Sequence, residues 1–82
     1  MSAQEITLTQ TPVQVSDGTK NIYIQEKSGF YTRFTSTITT PTAATPYCVI
    51  KNGEVSIAKG FPVWAWARDI SPSTIVVLKS ES

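Results

Sequence analysis

Histidine is absent from this chain and cysteine occurs once, as Cys48. Nucleophilic catalysis generally needs a base beside the nucleophile, most often histidine, so the usual serine and cysteine triads are excluded. Zinc sites draw on histidine and cysteine, and a lone cysteine cannot build one. An internal disulfide is excluded too, which fits a reducing compartment or a particle assembled in one. Cys48 lies in the apolar run Tyr47-Cys48-Val49-Ile50 and is expected to be a buried, inert thiol. The four glycines are scattered and match no phosphate-binding loop. Charge is scarce: 16% of residues are charged and the net charge is +1, without the basic excess that phosphate-driven nucleic-acid binding requires. No apolar run approaches the roughly 20 residues of a spanning helix. The start, Met1-Ser2-Ala3-Gln4-Glu5, has no basic segment leading into an apolar stretch, so neither a classical signal nor a membrane partner is expected.

The six acids are Glu5, Asp17, Glu26, Glu54, Asp69 and Glu81, and their spacing suggests neither a paired-carboxylate hydrolase nor a calcium loop. The chain is therefore expected to be non-enzymatic and free of cofactors and metals. At 82 residues it makes one domain, residues 1–82, with a marginal core. Self-association is the remaining way to supplement that core.

Threonine, serine and β-branched residues dominate, and glycine, proline and Asn/Asp punctuate the chain at intervals typical of an all-β meander. Ile6 and Leu8 alternate with polar neighbours and Val13 and Val15 follow Pro12, which predicts one strand broken or bulged at the proline. Asp17-Gly18 and Lys27-Ser28-Gly29 predict turns around a second strand from Lys20 to Glu26. A third strand is expected from Phe30 to about Ile38, with Phe34 and Arg33 on opposite faces. The segment from Thr39 to Pro46 predicts a surface loop carrying contacts. Asn52-Gly53 predicts a type I′ hairpin joining Tyr47–Lys51 to Glu54–Ala58, with positive φ at both central positions. One strand then ends near Ala67, and a last from Thr74 to Lys79 is expected to be covered on both faces. No helix longer than one turn is predicted. The fold class is all-β: a small antiparallel β-sandwich or partly open barrel of about seven short strands.

Two aromatic clusters stand out. Alternation places Trp64, Trp66 and Arg68 on one strand face and Val63, Ala65 and Ala67 on the other. Either face could be the core, so the tryptophans fill a small barrel, form a subunit contact, or make a platform for a sugar or base with Arg68 as polar partner. The second cluster is Tyr23 with Phe30, Tyr31, Arg33 and Phe34, expected on adjacent strands. It supplies either ordinary cross-strand packing or a stacking surface for unpaired bases.

The succession Val13-Gln14-Val15-Ser16-Asp17-Gly18, Ile22-Tyr23-Ile24-Gln25, Ser28-Gly29, Arg33, Asn52-Gly53-Glu54, Gly60, Val63-Trp64-Ala65-Trp66-Ala67-Arg68 and Val76-Val77 resembles the small β-sandwich proteins of tailed bacteriophages that decorate heads or form tail accessories. The resemblance spans most of the chain and carries no functional residue onto it. It implies a structural protein located in the virion, in the host cytoplasm before assembly, whose partners are copies of itself and a major capsid or tail protein. The expectation of a trimer comes from this resemblance alone. From other classes, the expectations are a binding module for carbohydrate or single-stranded nucleic acid, or a phage-encoded inhibitor of a host protein.

Overall fold

A computed structural model describes residues 2–80; Glu81 lies outside them. The described residues form eight strands and no helix: β1 (Ser2–Leu8), β2 (Val13–Ser16), β3 (Ile22–Glu26), β4 (Thr32–Ser36), β5 (Cys48–Ile50), β6 (Gly53–Ile57), β7 (Val63–Ala67) and β8 (Ser73–Lys79). They build two four-stranded antiparallel sheets, ordered β1-β8-β3-β6 and β2-β7-β4-β5. Pairing is nested, β1 with β8, β2 with β7, β3 with β6 and β4 with β5, as if one long hairpin were rolled up. This is the strand order of a double-sheet jelly roll, a sandwich rather than a barrel.

Only the β4–β5 connection stays within one sheet; every other turn carries the chain across to the opposite one. This explains the differences from the sequence expectation. The segment around Pro12 separates two strands in different sheets, which raises the number from seven to eight. Asn52-Gly53 is not a hairpin turn, because β5 pairs with β4 and β6 with β3. Asn52 alone takes the left-handed conformation, with φ 49°, while Gly53 does not. A Cβ on Gly53 would meet Ile50 at an ordinary 3.5 Å, so that glycine is not sterically required.

The glycine that is required is Gly18. Its φ is 87°, its carbonyl accepts a 2.9 Å hydrogen bond from the Gly60 amide, and a Cβ would lie 2.5 Å from the Phe61 carbonyl carbon. Two sheet-crossing turns thus meet backbone to backbone.

The core between the sheets comprises Leu8, Val15, Ile22, Ile24, Val63, Ala65, Ala67, Ile75 and Val77, with Ile6, Phe34, Val55 and Ile57 packed against its margin. One buried polar contact bridges the layers: the Thr32 hydroxyl on β4 donates to the Ser73 hydroxyl on β8 at 2.8 Å. β8 is covered on one face only. Ser73, Ile75 and Val77 point into the core, whereas Thr74, Val76 and Leu78 are half-buried on the outside. Cys48 is exposed rather than buried. It shares the core-side parity of Ile50 but sits on the edge strand β5, where the sandwich is open.

Among the described acids Glu26 is the buried one, 1% exposed at the end of β3. Its carboxylate accepts backbone hydrogen bonds from Ser28 (3.0 Å), Gly29 (3.2 Å) and Asn52 (2.9 Å), and a further one from the Ser28 hydroxyl. Burial pushes the carboxyl pKa up, but these donors together outweigh it and hold the group below its ordinary value.

Gly18→Ala should destabilise the fold by roughly 2 to 4 kcal/mol, combining left-handed strain with a backbone clash; an unchanged denaturation midpoint would refute the close approach. A carboxyl whose folded pKa is lowered stabilises the fold at and above its unfolded pKa and loses that contribution as pH falls through the folded value. Glu26→Gln should therefore cost about 2 to 3 kcal/mol at neutral pH, and its melting temperature should fall less than wild type's on acidification. Parallel pH profiles for the two proteins would show that Glu26 carries no such linkage.

Candidate functional site

The alternation along β7 resolves in favour of the small residues. Val63, Ala65 and Ala67 face the core, and Trp64, Trp66 and Arg68 face outward from the β2-β7-β4-β5 sheet. Trp66 is nonetheless only 7% exposed. It is covered from outside, by side chains and by a loop folded back over the sheet.

That loop joins β4 to β5, and its residues Thr39 to Pro46 are more than a surface excursion. The Thr35 hydroxyl donates to the Pro46 carbonyl at 2.9 Å and the Trp64 indole N–H donates to the Thr37 carbonyl at 3.1 Å. Thr42 and Thr45 close a tight turn within the loop, with the Thr45 amide donating to the Thr42 carbonyl at 3.1 Å. Pro41 is buried and lines the same hollow as Trp66. Tyr47, at the end of the loop, meets Trp66 edge to face with ring centroids 5.8 Å apart.

Cations cover the remaining rings. The Arg33 guanidinium lies 4.5 Å from the Tyr47 centroid, and Arg68 and Lys51 lie 3.8 Å and 4.8 Å from the Tyr31 centroid. The Arg68 amide donates to the Tyr31 carbonyl at 3.1 Å, tying the two turns together. Arg68 also forks onto Asp69 with two 3.1 Å hydrogen bonds, which hold the Asp69 carboxyl below its ordinary pKa.

Five of the six expected residues, Trp64, Trp66, Arg68, Tyr31 and Arg33, therefore share one outer face. Tyr23 does not join them. β3 and β4 are consecutive but belong to opposite sheets, so Tyr23 lies on the other outer face, where its phenol donates to the Glu54 carboxylate. That bond raises the Tyr23 pKa above its ordinary value. Phe34 packs on the core and Phe30 is exposed in the β3–β4 turn, so the second aromatic cluster is dispersed. Sequence reasoning missed Tyr47 and Lys51. Their parity with Val49 across β5 was the available signal, since Val49 sits opposite Arg33.

Chemically the face offers fixed aromatic edges, guanidinium groups and the exposed apolar side chain of Val49. Among the described residues no group of three or more histidine, cysteine or carboxylate side chains could hold a metal ion. Comparison with protein-family models, curated proteins and solved structures finds no match to this chain.

If Tyr47 shields Trp66, then Tyr47→Ala in a Trp64→Phe background should shift Trp66 emission to the red and destabilise the fold by about 1 kcal/mol. An emission maximum that does not move would mean that the loop alone covers the indole.

Proposed function

We propose that this chain is a non-enzymatic structural protein of a phage or prophage virion, decorating or stabilising the capsid or tail surface as a symmetric oligomer. The observation that supports this best is the surplus of exposed apolar side chains over a thin core. Phe30 and Ile70 sit in turns at one end of the sandwich and Phe61 and Ile38 at the other. Val49 on the open edge strand β5 and Tyr47 just before it are 47% and 43% exposed. Contacts with further copies and with a capsid or tail protein would bury this surface. The strand order supports the reading by architecture alone, since double-sheet jelly rolls serve viral coat subunits and lectins alike.

The rival reading, a stacking platform for sugars or unpaired bases, finds less support. Such a platform needs bare ring faces. Here Trp66 is covered, and Tyr31 and Tyr47 already carry cations. An inhibitor of a host protein would use the same rim and differs only in the partner.

Purified particles of the source should contain the protein in a fixed ratio to the major coat subunit, and particles lacking it should take up added protein to saturation. Its absence from particles, with no saturable uptake, would overturn the proposal.

A further inference from the structure

The chain's one Asn-Gly dipeptide, Asn52-Gly53, brings a reaction of its own to the β5–β6 turn. A backbone nitrogen that follows asparagine can attack the side-chain carbonyl carbon, and glycine, having no Cβ, hinders that attack least. The Asn52 side chain is exposed and, among the described residues, has no hydrogen-bond partner to hold it. Asn21, the other asparagine, differs on both counts. Its side-chain oxygen accepts from the Lys59 amide at 2.8 Å, and the residue after it is the buried, β-branched Ile22, whose side chain screens the nitrogen.

In the folded turn a single residue stands in the way of the attack. Asn52 takes the left-handed conformation, φ 49°, its amide donates to the Glu26 carboxylate at 2.9 Å, and Gly53 lies opposite Glu26 in the β3–β6 ladder. Bringing the Gly53 nitrogen onto the Asn52 side chain requires rotation about the Asn52 Cα–C bond. That bond is pinned on one side by the Glu26 side chain and on the other by the Glu26 backbone, so the reaction has to wait for the turn to open locally.

We propose that Asn52-Gly53 is a spontaneous deamidation site that the Glu26 carboxylate holds closed. When the turn opens, the Gly53 nitrogen bonds to Asn52 Cγ, and the proton it gives up leaves with the side-chain nitrogen as ammonia. Water then adds to either carbonyl of the cyclic imide and opens it to aspartate or isoaspartate, with nothing oxidised or reduced. Neither product restores the anchor. The Asn52 side chain lies over Gly29, its Oδ1 within 3.9 Å of where a Cβ would stand, and the Gly29 amide already donates to Glu26. A carboxylate in that place opposes the Glu26 charge. Isoaspartate routes the main chain through the side-chain carbons and lengthens it, which displaces Gly53 from its place opposite Glu26. The conversion is therefore one-way, and it loosens the two turns that set Lys51 over Tyr31.

The full-length protein, kept folded at mildly alkaline pH, is followed by intact mass and by peptide mapping, with isoaspartate methylation as the probe of the product. Wild type should convert slowly at Asn52 and not at Asn21, and denaturant should speed the Asn52 conversion by about tenfold or more. Without denaturant, Glu26→Gln should convert about tenfold faster than wild type. Gly18→Ala, which brings a comparable loss of stability at the other end of β3, should convert more slowly than Glu26→Gln. Gly53→Ala, whose new Cβ meets only ordinary contacts, should keep the wild-type melting temperature and block the conversion. Asn52→Asp, which builds one product directly, should melt below wild type at neutral pH, the difference narrowing as acid protonates the carboxylates. Conversion that denaturant leaves unchanged, or equal rates in Glu26→Gln and Gly18→Ala, would show that Glu26 does not gate the reaction. A denatured wild type that stays unconverted, or a Gly53→Ala that converts as fast as wild type, would remove the site itself. An Asn52→Asp that melts like wild type would overturn the loss of the anchor.

Discussion

The Glu26 carboxylate holds together the end of the sandwich on which the aromatic and cationic face is built. It gathers amides from the β3–β4 turn and from the β5–β6 turn, whose flanking strands pair β3 with β6 and β4 with β5, and fixes one turn against the other. The network extends further, because the Ser28 hydroxyl that donates to Glu26 also accepts from the Thr74 amide at the start of β8. An ionised group inside a small protein is tolerated only when its lone pairs are satisfied, and here neutral donors do this without a counter-cation. The consequence reaches the surface. Lys51 precedes Asn52 and Tyr31 follows Gly29 by two residues, so the turns that Glu26 locks together bring the Lys51 ammonium over the Tyr31 ring.

A second constraint is the size of the residues on β7. Two sheets packed face to face leave room for one interdigitated layer of side chains. In the core shared with Ile24, Ile75 and Val77, a central strand of the other sheet offers the small side chains of Ala65 and Ala67. Tryptophans in those positions would force the sheets apart. Turned outward they need their own cover, and the long β4–β5 connection provides it. The protein thus has two apolar layers, a thin aliphatic one between the sheets and an aromatic one between a sheet and its loop.

The sequence announces the strands well and their partners poorly. Alternation through Ile22-Tyr23-Ile24 and Ile75-Val76-Val77 marks each strand and its inward side, and Gly18 and Asn52 mark true reversals with positive φ. What neither pattern encodes is whether the reversed chain stays in its sheet or crosses to the other. Asn-Gly has the same local chemistry in both cases, and the difference at Asn52 is made by a Glu26 carboxylate 26 residues away. That one ambiguity accounts for the supposed hairpin and for the separation of Tyr23 from Tyr31. The Cys48 thiol misleads for a related reason: its apolar neighbours suggest a central strand, and only the sheet order shows that β5 is an edge.

The pairing of rings with cations also bears on what the face can recognise. A side chain already held in place loses little conformational freedom when a partner arrives, so a prepacked surface binds at lower entropic cost than a loose one. Tyr31 between its cations, and Trp66 under Tyr47, are restrained in this way, but their π faces are spent in the process. What remains open to solvent on this face is its apolar rim, Val49 included. A ring whose π face is already occupied is a poor stacking surface for a second ring, so the outer aromatic layer is completed at the expense of that use.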